Sequence, residues 1–201
     1  MNDTRTIDVS RLAPSAFGTR SLMWWGTMGM ILIEGMVFAL TIGAYFYLVT
    51  RSDGWPPGDI PPPQLRWGTL NVAVLLFSLI PNQLAKNAAE RVDLRGVRIW
   101  MVVGLAFALA FNIVRIFEFA RLNVWWNENA YGSIVWLLLG LHTTHILTDF
   151  LDSLVLAALM FTGPIEEKRF VDVAENAVYW YFVVLSWLPI YGVIYWAPRL
   201  I

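Results

Sequence analysis

The chain has no cysteine, only two histidines among 201 residues, and charged side chains at just 14% of positions. Without cysteine, disulfides, thiolate metal sites, iron–sulfur clusters and cysteine nucleophiles are all excluded. Two imidazoles limit any haem or copper centre to at most two histidine ligands. A soluble domain is about a quarter charged. The deficit here, with 58% hydrophobic residues and 11 tryptophans, points to a membrane protein. A net charge of −1 offers no footprint for a nucleic-acid partner. A phosphate-cradling glycine loop, a GxSxG elbow and an HExxH pair are also missing from the sequence. A hydrolase or nucleotide-driven pump is therefore not expected.

The opening MNDTRTIDVSRLAPSAFGTR is polar and lacks the short apolar core of a signal peptide. The apolar run after it continues without a small-residue cleavage site, so it reads as a retained helix. Five stretches reach the roughly 20 apolar residues that span a bilayer. They cover about residues 22–49, 67–85, 97–121, 131–161 and 176–197. Unpaired backbone groups are costly in hydrocarbon, so these should be helices. The expected fold is all-α: a polytopic bundle of five transmembrane helices over 21–201, preceded by a cytoplasmic segment 1–20.

Basic residues set the orientation. Arg5, Arg11 and Arg20, then Lys86, Arg91, Arg95 and Arg98, then Lys168 and Arg169 fall on one side. The other side holds only Arg51, Arg66, Arg121 and Arg199. The first side is predicted cytoplasmic and the C-terminus periplasmic. The first outer connection, RSDGWPPGDIPPPQLRW, should be an extended, stiff surface loop because its prolines fix φ and remove donors. Trp24, Trp25, Trp55, Trp67, Trp125, Trp126, Tyr131 and Trp196 lie close to span ends, where amphipathic rings prefer to sit.

The fourth span carries both histidines and two aspartates. His142, His145, Asp149 and Asp152 step by three, four and three residues, which puts all four on one helix face. Such a stripe is expensive in a membrane, so it should face a partner. The i, i+3 histidines would suit a shared metal with Asp149 as an oxygen ligand. No further histidine exists to complete it, and no metal site is expected. Asp149 and Asp152 would repel one another if both were ionised. They read as a proton antenna, or as acceptors for a neighbouring helix, a subunit or water.

Glu34 stands about a dozen residues into the first span, beside a small-residue stripe of Gly35, Ala39 and Gly43 that would admit a second helix closely. It reads as a proton-relay or interaction carboxyl, or as a hydrogen-bonded packing residue. His142 lies at a comparable depth, and a Glu34–His142 pairing is predicted. Arg115 and Glu118, one turn apart near the outer end of the third span, should form an intrahelical pair. Alternatively, Arg115 reaches a lipid phosphate. No catalytic residue is expected on this chain.

At this point several motifs resemble one family, subunit III of haem–copper cytochrome c oxidases. GTMGMILIEGMVFALTIGAYFYL is similar to the family's G-(x)7-E segment ending in AYFYL, with Gly26, Glu34 and Tyr45 in step. WPPGDIPPPQLRWGTLN resembles its WPP…P…LNT connection, and RIFEF with Glu118 its Q-x-x-E-Y. YGSIVWLLLGLHTTHI places His142 and His145 on the two family histidines. In the last helix Tyr179, Trp180, Phe182, Val183 and Trp187 match the Y-W-H-F-V-D-x-V-W part of E-x-x-x-x-Y-W-H-F-V-D-x-V-W, and Glu175 stands for its glutamate one position closer. Tyr181 and Val184 replace that motif's histidine and aspartate. Asp149 stands where glycine is usual, and Asp152 is also a departure.

The resemblance covers nearly everything after Ser21 and fits the short bacterial form, which lacks the first two of seven helices. It implies an accessory, non-redox subunit of a bacterial respiratory terminal oxidase, which couples oxygen reduction to proton translocation. The implied role is to support assembly, lipid retention, proton uptake and turnover stability in the inner membrane. Haem and copper would sit on partner subunits I and II, none on this chain, and bound phospholipid is implied. Two other readings stay open at this point: an accessory subunit of a nitric oxide reductase, and a self-standing proton or solute carrier.

Overall fold

The computed structural model describes residues 17–201. Arg5 and Arg11, used above for the orientation, lie outside the described residues. Five helices are long and apolar enough to cross a membrane. They are α1 (Leu22–Thr50), α2 (Leu65–Glu90), α3 (Leu94–Phe119), α4 (Ala130–Thr162) and α5 (Glu167–Tyr191). A wider π turn, Gly192–Trp196, and a last turn, Ala197–Leu200, carry α5 onward. There is no strand among the described residues. The chain is a multi-pass membrane protein.

The helix starts follow local chemistry. Free N–H groups of a first turn need acceptors, and short polar side chains supply them. Ser21 accepts from the Met23 amide at 3.1 Å, Asp93 from Arg95 and Gly96 at 3.1 Å each, and Asn129 from Gly132 at 2.8 Å. Helices α2 and α3 form a tight antiparallel hairpin across Arg91–Asp93. There Val92 takes a left-handed conformation (φ 56°), uncommon for a β-branched residue. Two amides close the turn, Val92 onto Ala89 and Asp93 onto Ala88, each at 2.9 Å.

Helix α5 is the axis of the bundle. Half of its most apolar stretch is buried, against 17% for α1. Trp187, Val183, Ile190 and Ile194 from α5 and its continuation pack in one core with Tyr45, Phe111, Leu138 and Ile146. A second core at the opposite end is built from small residues, Ala85, Ala88, Ala89 and Ala174, around Val97, Met160 and Phe170. Small side chains let helix backbones approach, which matters where lipid gives no hydrophobic drive for helix association. Pro189 removes one backbone donor inside α5, and the π turn begins three residues later. The widened turn brings Tyr195 onto the inner face of the bundle, where it is fully buried.

The proline-rich connection is pinned down. Trp55 donates from Nε1 to the Tyr45 hydroxyl at 2.8 Å, and its ring meets Tyr45 and Tyr131 edge-on at 5.3 and 5.2 Å. Arg199 donates to the Pro63 carbonyl at 2.6 Å, and Asn123 to those of Pro61 and Pro62 at 3.4 Å. Tyr131, expected at the membrane interface, is fully buried under this loop.

Candidate functional site

The four-residue stripe on α4 is divided among three polar groups at different depths. The outer group centres on Arg115 and Glu118 of α3, each 1% exposed. Arg115 Nη1 pairs with Glu118 Oε2 at 2.8 Å. The same carboxylate oxygen accepts from Asn71 of α2 at 2.5 Å, and Oε1 accepts from the Tyr195 hydroxyl at 2.5 Å. Arg115 Nη2 lies 3.0 Å from His142 Nδ1, while His142 Nε2 lies 2.9 Å from the Val183 carbonyl. A guanidinium only donates and a carbonyl only accepts. His142 is therefore held as the neutral tautomer with its proton on Nε2. The guanidinium lies over Trp187 at 4.1 Å and Phe111 at 4.6 Å, and His142 stacks on Trp187 at 4.8 Å. Every charge here is balanced within the group. Arg115 is turned into the bundle, away from the lipid phosphates it was given as an alternative partner.

The inner group joins α1, α4 and α5. Glu34 accepts from the Tyr179 hydroxyl at 2.8 Å and faces His145 Nε2 at 3.5 Å. His145 Nδ1 donates to the Leu141 carbonyl at 2.6 Å. The Phe38 ring lies against both histidines, 4.9 Å from His145 and 6.2 Å from His142. The predicted Glu34–His142 pairing is thus replaced by Glu34–His145. The reason is register. Glu34 stands 16 residues before the outer end of α1, while His142 and His145 stand 12 and 15 residues after the outer end of α4. At 1.5 Å per residue, His145 is the one at matching depth.

Below this pair, toward the α5 start, Asn176 reaches both aspartates, its amide 3.3 Å from Asp149 Oδ1 and 3.4 Å from Asp152 Oδ2. Ser153 donates to the Asn176 carbonyl oxygen at 3.0 Å. Asp149 is buried and Asp152 exposed. A crevice of about 780 Å³ opens here between α1, α4 and α5. A second cavity of about 50 Å³, reaching Ser78, Asn82 and Trp180, shares Asp149 and Asn176 with it. Among the described residues no group of three or more His, Asp or Glu could hold a metal ion.

Sequence reasoning singled out neither Asn71, Asn176 nor Tyr195 for their contacts. An amide among apolar neighbours is a weak signal, and Tyr195 reaches Glu118 only after the π turn. Tyr179, Trp187 and Glu175 had been noted only as motif matches.

The match to known families decides the lineage. The model of the family described as cytochrome c oxidase subunit III matches residues 15–198. The chain belongs to that family. Among similar proteins is one named probable cytochrome c oxidase subunit 3 from Mycobacterium tuberculosis, 31% identical over 179 residues and 85% of each chain. Cytochrome c oxidase subunit 3 of Thermostichus vulcanus is 23% identical over 177 residues, 87% of each. That of Pylaiella littoralis is 27% identical over 179 residues, covering 84% of this chain but 65% of its own. As a subunit III, the chain is an accessory subunit of a terminal oxidase, and that role suits polar groups spent on one another. Tyr181, at the family histidine, is half-buried and hydrogen-bonds Gln83 of α2. Val184, at the family aspartate, is buried in the core.

Proposed function

We propose that this chain packs against catalytic subunit I, and with it subunit II, of a bacterial haem–copper cytochrome c oxidase. In that complex it supports assembly, lipid retention, proton uptake and turnover stability without carrying haem or copper. The observation that carries the reading is the subunit III match over residues 15–198. Its support is a set of buried polar groups that hold helices together and leave no reacting constellation. In this reading Glu34, His142, His145, Asp149 and Asp152 are interaction residues, and Arg115 with Glu118 is an internal ion pair. The basic connections face the cytoplasm and the C-terminus the periplasm, since five crossings put the two ends on opposite sides.

Co-purification tests the reading. The tagged chain should bring down a haem-containing partner whose absorbance spectrum is that of an oxygen-reducing oxidase. A nitric oxide reductase spectrum would move the chain to that complex. A haem-free, transport-active chain would make it a carrier. Replacing both His142 and His145 by leucine should lower the yield of assembled complex, because Arg115, Val183 and Glu34 lose partners. The haem bands of the complex that does assemble should not shift. A shifted band in intact complex would place these histidines at the haem.

A further inference from the structure

The small cavity, about 50 Å³, lies inside the bundle between α2, α3, α4 and α5. At about 10–15 Å³ for each water it has room for roughly three to five water-sized particles. Organic headgroups need sites of about 300 Å³ and more, so none fits. Among the described residues that line it, Asp149 alone is ionisable. Asp149 is 5% exposed, and the Asn176 amide donates to it at a long 3.3 Å. Among the described residues no basic side chain forms an ion pair with it. The charged groups around it are engaged or distant. Lys168 and Arg169 line the wider crevice instead, eight and seven residues before Asn176, about 10–12 Å along α5. Arg169 faces Asp172 at 3.6 Å, and Lys86 of α2 faces Glu90 at 3.8 Å. Glu34 of α1 faces His145 at 3.5 Å, and α3 brings only uncharged residues to the lining. A buried carboxylate with so little compensation is costly.

The neutral polar groups of the lining have already spent their protons. Ser78 donates to the Leu75 carbonyl at 2.6 Å and Ser153 to the Asn176 carbonyl oxygen at 3.0 Å. Asn82 gives an amide proton to the Ala177 carbonyl at 3.0 Å. Asn176 gives its own to Asp149 and Asp152. A hydroxyl has one proton and two lone pairs, so Ser153 has only lone pairs left to offer. Oxygen lone pairs around a carboxylate, with donors turned elsewhere, are the surroundings of a hard cation. One carboxylate balances one positive charge, and surplus charge within a bilayer is expensive, so that cation is monovalent. We infer that the cavity is a site for an alkali-metal cation of sodium size, held by Asp149 and Ser153. Room remains for about two or three waters to complete its shell. Asn176 is the positioning residue, since it fixes the Asp149 carboxylate and the Ser153 hydroxyl together. The crevice shares Asp149 and Asn176 with the cavity, which gives the ion its entry. Such a site differs in make from a His, Asp and Glu cluster, and it does not depend on which oxidase the chain serves.

Equilibrium binding of radioactive sodium tests the site. The full chain, with whatever complex it brings down, is kept in dodecyl maltoside at neutral and at alkaline pH. Choline chloride holds the ionic strength constant, because choline is too large for the cavity. The wild type should bind one sodium per chain more than Asp149→Asn does. Loss of the charged ligand in Asp149→Asn should weaken sodium at this site at least about tenfold, and Ser153→Ala should weaken it less. Equal sodium binding by wild type and Asp149→Asn would put the ion elsewhere in the complex and overturn the site. No sodium on the wild type at either pH would overturn it as well, leaving water or a proton on Asp149. If Asp149→Asn does not assemble, Ser153→Ala decides, and a Kd unchanged from wild type counts against the site.

Discussion

Replacing Glu118 by alanine is expected to cost about 3–5 kcal/mol of stability, the range for breaking a buried pair from one side. The substitution leaves the Arg115 guanidinium, 1% exposed, without its counter-charge, and strips Asn71 and Tyr195 of their acceptor. Removing both partners should be milder. Arg115→Met with Glu118→Leu keeps volume at both positions and leaves no orphaned charge, so it should recover most of the loss. Glu118→Gln should fall between, since its amide oxygen can still accept one hydrogen bond. Unfolding of wild type, single and double variants in mixed detergent–SDS micelles, analysed as a double-mutant cycle, measures the coupling. A Glu118→Ala chain within about 1 kcal/mol of wild type would mean that water or lipid already reaches the pair.

Gly132→Ala should be the most damaging single methyl that can be added to the outer half of the bundle. A Cβ at Gly132 would stand 2.2 Å from the Trp125 carbonyl oxygen and 2.8 Å from a Val124 methyl. Backbone cannot rotate away as a side chain can, so the loop before α4 must shift bodily. That loop is anchored to the same helix turn. Ser133 donates to Trp126 and Trp136 to Val124, at 2.7 and 2.8 Å, and Asn129 caps the helix through the Gly132 amide. Overpacking of this kind costs about 1–3 kcal/mol and more where backbone must move. The expected readout is a lower unfolding midpoint together with faster proteolysis within residues 120–129. Gly104→Ala, on an open helix face with nothing within 4 Å, is the matched control and should be neutral. An unchanged midpoint in Gly132→Ala would show that the loop packs on α4 more loosely than these contacts require.

The bundle could be read from the sequence because the bilayer imposes its own length on each helix. Uncharged runs identified α2 and the outer part of α5 directly. Helix ends were less legible. α5 begins at Glu167 rather than near residue 176, because EKRFVDVAE is too polar to count as membrane. Yet Phe170, Val173 and Ala174 recur on one face and bury against α2 and α4. The identity of the buried polar residues was legible, but their pairing was not. His142 and His145 differ by one helical turn, and only the register of α1 against α4 decides which of them meets Glu34. Tyr195 shows a different limit. Its contact with Glu118 depends on a π turn, and no residue pattern in GVIYW announces that turn. The acidic crevice was half visible: Asp149 and Asp152 stood out on α4, while Glu175 was noted only as a motif match.

The Glu34–His145 pair has a consequence for the proton count of the membrane interior. His145 commits its Nδ1 proton to the Leu141 carbonyl, so Nε2 and Glu34 Oε1 face each other with room for one proton between them. With that proton on nitrogen the pair is an imidazolium beside a carboxylate. On oxygen, it is a neutral ring beside a carboxylic acid. Both arrangements sum to zero, so moving the proton across the gap creates or removes a dipole and leaves the net charge in the bilayer unchanged. The Tyr179 hydroxyl, 2.8 Å from the other oxygen, holds the carboxyl in place for either form.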